Sequence, residues 1–344
     1  MYSSYAMRRL AAGLAWLAAC SPAPAPPTPL VSADEVRAIV SVLAADSLEG
    51  RRTGSPGSLR ASRFLAERMQ RYGLEPGGDS SYFQKVSYRA ATGPEGPMLR
   101  LAGTGPADSA AGEPITDYNL IGLVRGSDPA ARDQAVVLGA HFDHVGVGKP
   151  VGGDSVYNGA DDDASGVAVV LAAARVLAKA PPRRTVIILL TSGEEFGVLG
   201  TQWYLERPTI PLARTIADLQ VEMVGRPDSL AGGPGRLWLT GYERSSMGES
   251  FTRAGLPVVA DPRPEFKFFE RSDNIVFALR GIPAHTLSSF GLHSDYHQPS
   301  DEVDRIDFTH LQQAADLVIR ATRILADSKA PEWRPGGRPA APTP

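Results

Sequence analysis

The chain has 344 residues, 43% of them hydrophobic, and a formal net charge of -3. That supplies apolar material for one large core or two ordinary ones, and the charge balance gives no electrostatic reason to expect nucleic acid as a partner. The one cysteine, Cys20, excludes any intramolecular disulfide.

The N-terminus reads as an export signal. Met7, a candidate start, and Arg8-Arg9 precede an apolar stretch from Leu10 to Leu17 that is too short to span a bilayer. Leu17-Ala18-Ala19-Cys20 then matches a bacterial lipoprotein cleavage site, which assigns residues 1–20 to a lipoprotein signal peptide and Cys20 to lipidation. Ser21 in the next position resembles lipoproteins sent on to the outer membrane. The expectation is an exported protein, held to the membrane by a lipid anchor and facing the periplasm. Proline-rich residues 21–32 predict a stiff tether, residues 33–328 the folded domain, and residues 329–344 a disordered tail.

Helical patterning covers Ala33 to Ala45 and Ser58 to Tyr72, separated by the turn-rich Gly50 to Gly57. From Asn119 onward strands and helices alternate. The strands are Ala135 to His141, Arg184 to Ser192, Ile216 to Val224, Arg236 to Thr240 and Pro283 to Leu287. The helices are Ser165 to Lys179, Val198 to Glu206, Ser245 to Ala254, Asp273 to Arg280 and Phe308 to Ala326. Such alternation predicts an α/β fold, a three-layer α/β/α sandwich around a mixed, mostly parallel sheet. In such sheets ligands gather at the carboxyl ends of the strands, where the acids and histidines of this chain fall.

His141 and Asp143 are two apart on a strand and share a face, whereas His144 would face the other way if the strand persisted. Asp161-Asp162-Asp163 lies between glycines at the mouth of an apolar helix. One acid would suffice as a helix cap, so three suggest a loop that sets one carboxylate between two cations. Glu194-Glu195 ends a buried strand, where unpaired carboxylates are costly. One glutamate can reach a metal while the other takes a proton from an activated water. With Glu222 and His297 downstream, these residues supply the oxygen and nitrogen donors of a two-metal hydrolytic site.

His141-Phe-Asp143, Gly159-Ala-Asp-Asp-Asp-Ala-Ser-Gly166, Ser192-Gly-Glu-Glu-Phe-Gly197, Val221-Glu-Met-Val-Gly225 and Ser294-Asp-Tyr-His-Gln-Pro-Ser-Asp301 occur in this order. With Leu48-Glu-Gly-Arg-Arg-Thr-Gly54, they resemble the M28 family of zinc aminopeptidases over the whole body from Leu48 to Ala326. The resemblance implies the zinc-exopeptidase fold, peptide substrates and two Zn2+ per chain, with Mn2+ or Co2+ suited to the same donors. It places one zinc among His141, Asp162 and Glu222, and the other among Glu195, Asp162 and His297, Asp162 bridging. Glu194 becomes the general base, Asp143 orients His141, and Asp301 supports the loop carrying His297. It also implies a cis bond between Asp162 and Asp163.

The chain departs from the family at three places. Glu222 stands where many aminopeptidases of the family have aspartate, which opens dipeptidase or carboxypeptidase specificities. Asn274 stands where histidine is frequent. Phe269 falls near a tyrosine that polarises the substrate carbonyl in some members, leaving oxyanion stabilisation mostly to the zincs or in part to Tyr296. His293 competes with His297 for the last ligand position, and the family spacing to Asp301 favours His297. His285 and His310 read as packing or surface residues, and Trp203, Tyr204 and Trp238 as core. Phe266, Phe268 and Phe269 divide evenly between core and pocket. Two rival functions remain: glutaminyl-peptide cyclisation by a single-zinc site needing only Asp162, Glu195 and His297, and a non-catalytic binding module.

Overall fold

The computed structural model describes residues 28–93, 96–103 and 112–340, so Cys20 and the signal segment lie outside it. Two helices come first, α1 (Ala33–Leu43) and α2 (Pro56–Arg71). Ser32 caps α1 by accepting from the Glu35 amide, and Ser55 caps α2 in the same way through Ser58. The strands β1 (Glu75–Pro76), β2 (Phe83–Gly93), β3 (Gly96–Leu101) and β4 (Pro114–Val124) follow. Next are β5 (Ala135–His141), the hairpin of β6 (Gly146–Val151) and β7 (Asp154–Tyr157), and α3 (Gly166–Lys179). Then come β8 (Thr185–Thr191), α4 (Leu199–Glu206), β9 (Thr215–Val221), β10 (Leu237–Leu239) and α5 (Met247–Arg253). The chain closes with β11 (Val258–Ala260), α6 (Asn274–Leu279), β12 (Ala284–Ser288) and α7 (Phe308–Asp327).

Ten strands form one mixed sheet in the order β11-β10-β12-β9-β5-β8-β4-β2-β3, with β1 paired to β4. Its centre, β12-β9-β5-β8, is parallel, and the strands beyond β8 are antiparallel. Both faces are covered, because alternate residues of the central strands enter different cores. Val136, Leu138, Val186, Ile188 and Leu190 pack with the helices α1, α2, α3, α5 and α7. Val137, Ile187 and Leu189 pack on the other side against Tyr204 and Leu205 of α4 and Phe277 of α6. This is the expected three-layer arrangement, and it explains why β5 and β8 read as unbroken apolar runs.

The sequence pattern missed the antiparallel strands β2, β3 and β4. In β2 the inward Val86 and Tyr88 alternate with outward Lys85 and Arg89, too polar a mixture to stand out before pairing. The expected disordered tail is corrected in its first part. Trp333 forms a bridge to Ser245 and donates its indole N–H to the Gly281 carbonyl at 2.9 Å, and the Arg334 amide reaches Arg244 O at 2.9 Å. Among the described residues no helix is long and apolar enough to cross a membrane.

Candidate metal centre

The parallel strands bring the site together at one edge of the sheet. His141 is the last residue of β5 and pairs with Thr191, the last of β8, while β9 ends at Val221. The loops after these strands therefore start side by side, carrying Asp143, Glu194, Glu195 and Glu222. A fully buried arginine organises the loops. Arg51 donates to Phe142 O (2.8 Å), Leu43 O (2.6 Å), Asn158 O (2.6 Å) and Gly159 O (3.0 Å). That clamp ends β5 at His141 and turns the chain inward. His144 consequently enters the site, contrary to the expectation for a continuing strand.

The acidic triplet divides its labour. Asp161 accepts from the Gly225 amide at 2.7 Å and faces His293 Nε2 at 2.9 Å, which accounts for His293. Asp163 accepts from the amides of Met223 and Gly166, both at 3.0 Å. Asp162 alone faces the cleft, and the peptide bond after it is cis. Gly159 precedes the triplet at φ +57, where a Cβ would lie 2.2 Å from Asp162 O and 2.6 Å from His144 Cδ2. Only glycine fits there.

Asp162 sits between two imidazoles. Its Oδ1 is 3.2 Å from His141 Nε2 and its Oδ2 is 3.1 Å from His297 Nε2, which is also 3.0 Å from Glu195 Oε2. His297 holds this position from a left-handed backbone, φ +53, an unusual conformation for a residue with a side chain. Donor atoms of His144, Asp162, Glu195 and His297 all lie within 4.8 Å of one another. Glu222 lines the same pocket together with Glu194 and Ser272 but stands outside that tight group.

Sequence reasoning missed His144, whose Nδ1 is 2.8 Å from Glu195 Oε1. The signal was present in the run His141-Phe-Asp-His144, and only the turn after β5 gives it meaning. With its proton on Nδ1, His144 donates to one oxygen of Glu195 and leaves Oε2 aimed at the cleft. Removing such support typically weakens metal affinity about 10- to 100-fold. His144→Ala is therefore expected to lose metal to a chelator at correspondingly lower concentration while keeping its melting temperature in the metal-free form. Unchanged affinity would assign His144 to packing alone.

Of the two supporting acids, Asp143 departs from expectation and Asp301 follows it. The His141 Nδ1 hydrogen bond goes to the main-chain carbonyl of Asp143 at 3.2 Å, and the Asp143 carboxylate is 3.9 Å away. That carboxylate instead accepts from Thr53 Oγ1 (2.9 Å) and the Glu194 amide (3.2 Å), so it fixes the glutamate loop. Asp301 accepts from the amides of Asp161 and Asp162 and from Arg226 Nη2, so it ties the His297 loop to the backbone of the triplet.

The aromatic candidates also separate. Phe268 and Trp238 line the pocket, Trp238 while almost fully buried. Phe266 is exposed and stacks on Phe268 at 5.7 Å between centroids. Phe269 packs away from the pocket against His285 and Trp333. Tyr296 lines the pocket and stacks on His297 at 3.9 Å. Tyr204 is core, Trp203 is half-buried, and His285 and His310 are buried with hydrogen-bond partners.

The electrostatics are those of a crowded carboxylate site. Burial, with Glu222, Glu195 and Asp273 nearby, pushes Glu194 well above the usual range against the pull of His141. Burial likewise pushes Glu222 up to about 7, opposed by His141 and reinforced by Asp162. Burial also opposes the ionised forms of Asp162 and Glu195, but their histidine neighbours win and hold Asp162 well down and Glu195 at about 2. A carboxyl raised on folding holds its proton longer in the native state, so stability falls as pH rises from the unfolded value through the folded one. For Glu222 that window runs from 4.5 to about 7. The shift is worth up to roughly 3 kcal/mol, a ceiling because its neighbours share the proton. Metal-depleted protein is expected to melt several degrees lower at pH 8 than at pH 5. Excess Zn2+ should flatten the trend, since cations replace the protons. A rising melting temperature without metal would contradict this assignment.

The donor set fits divalent cations. The Nε2 atoms of His141 and His297 are buried, close to carboxylate oxygens, and yet make no hydrogen bond. Nitrogen lone pairs converging with carboxylates in this way match mixed N/O ligation, and zinc suits it.

The sequence profile described as Peptidase family M28 matches residues 119–322. The fold is similar to an aminopeptidase from Aneurinibacillus sp. strain AM-1 at 19% identity and a TM-score of 0.62, covering 91% of this chain and 97% of that one. It is also similar to a zinc aminopeptidase from Bacillus subtilis (17%, TM-score 0.61, 86% and 95% covered). A third similar structure is a glutaminyl cyclase from Porphyromonas gingivalis (17%, TM-score 0.57, 86% and 98% covered). The profile spans more than half of the sequence and contains every residue of the donor cluster, and on that ground the chain belongs to peptidase family M28 and is a metallopeptidase.

Proposed function

We propose that the protein is a two-zinc exopeptidase that removes N-terminal residues from peptides. The observation that carries this reading is Asp162 held between His141 and His297, with Glu194, Glu195 and Glu222 in the same pocket. His141, Asp162 and Glu222 would hold one ion, and Asp162, Glu195 and His297 the other. Bound there, two divalent cations supply charge that polarises the scissile carbonyl and acidifies water. Glu194 accepts the proton of the attacking water and returns it to the leaving amine, and cationic neighbours favour the ionised form this requires. Asp143 keeps Glu194 in place through its amide. Tyr296, with no hydrogen-bond partner for its hydroxyl among the described residues, is available to donate to the developing oxyanion.

One observation favours a second reading. The tightest donor group contains Asp162, Glu195 and His297 but neither His141 nor Glu222, which is the set a single-zinc glutaminyl cyclase would need. A panel of aminoacyl-amides and dipeptides, assayed alongside metal analysis, separates the two. Release of free amino acids with about two zincs per chain supports the exopeptidase, while pyroglutamate formation with about one supports the cyclase. The export signal and Cys20 further lead us to place the enzyme on a lipid anchor in the bacterial cell envelope, at the outer membrane facing the periplasm. Metabolic labelling with a fatty acid, lost in Cys20→Ser, tests that placement.

A further inference from the structure

We infer that Arg271 binds a carboxylate of the substrate, so that the enzyme selects peptides carrying negative charge next to the scissile bond. This rests on the exopeptidase reading above and deepens it. The pocket beside the metal donors has apolar walls that include Trp238, Phe268 and Phe290, and Arg271 is the one basic residue lining it. Its root is fixed. The neighbouring Ser272 and Asp273 are buried, and Asp273 accepts from Thr191 Oγ1 at 2.6 Å. Its head is not. The guanidinium lies 5.2 Å from the centre of the Phe268 ring, and among the described residues it has no ion pair and no side-chain hydrogen bond. Arg226 and Arg263, by contrast, are taken up by Asp295 and Asp301 and by Asp228.

The charge balance gives this freedom a direction. Four carboxylates line the pocket, those of Asp162, Glu194, Glu195 and Glu222. Two divalent cations would offset them, leaving Arg271 as uncompensated positive charge over an aromatic floor. A planar guanidinium beside a ring face and free of other partners is suited to a two-point grip on a carboxylate. Thr240 adds a second donor at the pocket wall, since its hydroxyl accepts from the Thr286 amide at 2.8 Å and its own proton has no acceptor among the described residues. The carboxylate has two sources, an acidic side chain on the first residue or the free C-terminus of a dipeptide.

Two matched substrate pairs distinguish them. Asp-Ala-Ala-amide against Asn-Ala-Ala-amide reports on the side chain, and Ala-Ala against Ala-Ala-amide on the C-terminus. For zinc-loaded protein, one pair is expected to favour its charged member about 10- to 100-fold in kcat/KM, the range of a charge-assisted hydrogen bond. Arg271→Ala should cut that ratio at least about tenfold, and Arg271→Glu should invert it. No preference in either pair, or a preference that survives Arg271→Ala, overturns the proposal. If no peptide is cleaved, the exopeptidase reading has failed instead. Calorimetric Kd values for the same pairs on Glu194→Gln protein, with and without Arg271→Ala, then decide the role of Arg271 by the same ratio.

Discussion

Glu194→Gln is expected to abolish nearly all turnover while leaving the metals and the fold in place. Glutamine has the shape of glutamate but cannot accept a proton at its amide nitrogen or hold one for transfer. General acid–base catalysis contributes about 10²- to 10⁴-fold, and the loss in kcat should fall in that range. KM should change little, because the ions and the pocket walls are untouched. The main-chain N–H of Glu194 donates to Asp143 Oδ1, and that bond does not use the Glu194 side chain, so the loop keeps its course in the variant. Relief of the crowding that pushes Glu194 well up should leave the metal-free variant no less stable than wild type. Near-normal kcat with full metal content would mean that another group moves the proton, and Glu222 would be the next to examine. Lost metal would move Glu194 from the base to the ligands.

Part of the candidate site was legible in the sequence because His141 ends, and Glu194 and Glu195 closely follow, strands whose apolar runs are unmistakable. Val136 to His141 and Val186 to Thr191 are buried on both faces, so the first polar residues after them must mark the sheet edge. What could not be read depends on how the chain leaves those strands. Arg51, far away in sequence, binds the carbonyl of Phe142 and accepts from the His144 amide, and these contacts accompany the inward turn of His144. The division within Asp161-Asp162-Asp163 is equally non-local, since it is set by the amides of Gly225 and Met223 and the carboxylate of Asp301. The tail was misread for a related reason. Proline and arginine around Trp333 look solvent-bound until the indole is seen docked on Gly281 and tilted against His285 at 5.7 Å between centroids. Composition reports what a segment is able to do in isolation, whereas these contacts exist only after the sheet has formed.

Asp162→Asn should be the most damaging single change to metal binding. Its two oxygens face different histidines, Oδ1 toward His141 and Oδ2 toward His297, and in the proposed assignment the remaining donors of the two ions do not overlap. An amide offers one oxygen and no charge, so it can serve at most one side and serves it weakly. Metal content measured after gel filtration is expected to drop from about two ions per chain to well under one, and kcat/KM by at least about 10³-fold. Thermal unfolding gives an independent readout. Zinc at 1,000 times its Kd stabilises a protein by about 4 kcal/mol. Wild type should therefore gain several degrees when zinc is added, and the variant little. The pattern of loss matters more than its size. If one ion stays bound at wild-type affinity, Asp162 serves a single site and is no bridge. Glu195 and His297, with His144 behind them, would then hold the surviving ion, and the one-metal chemistry of the cyclase would be the better account of this pocket.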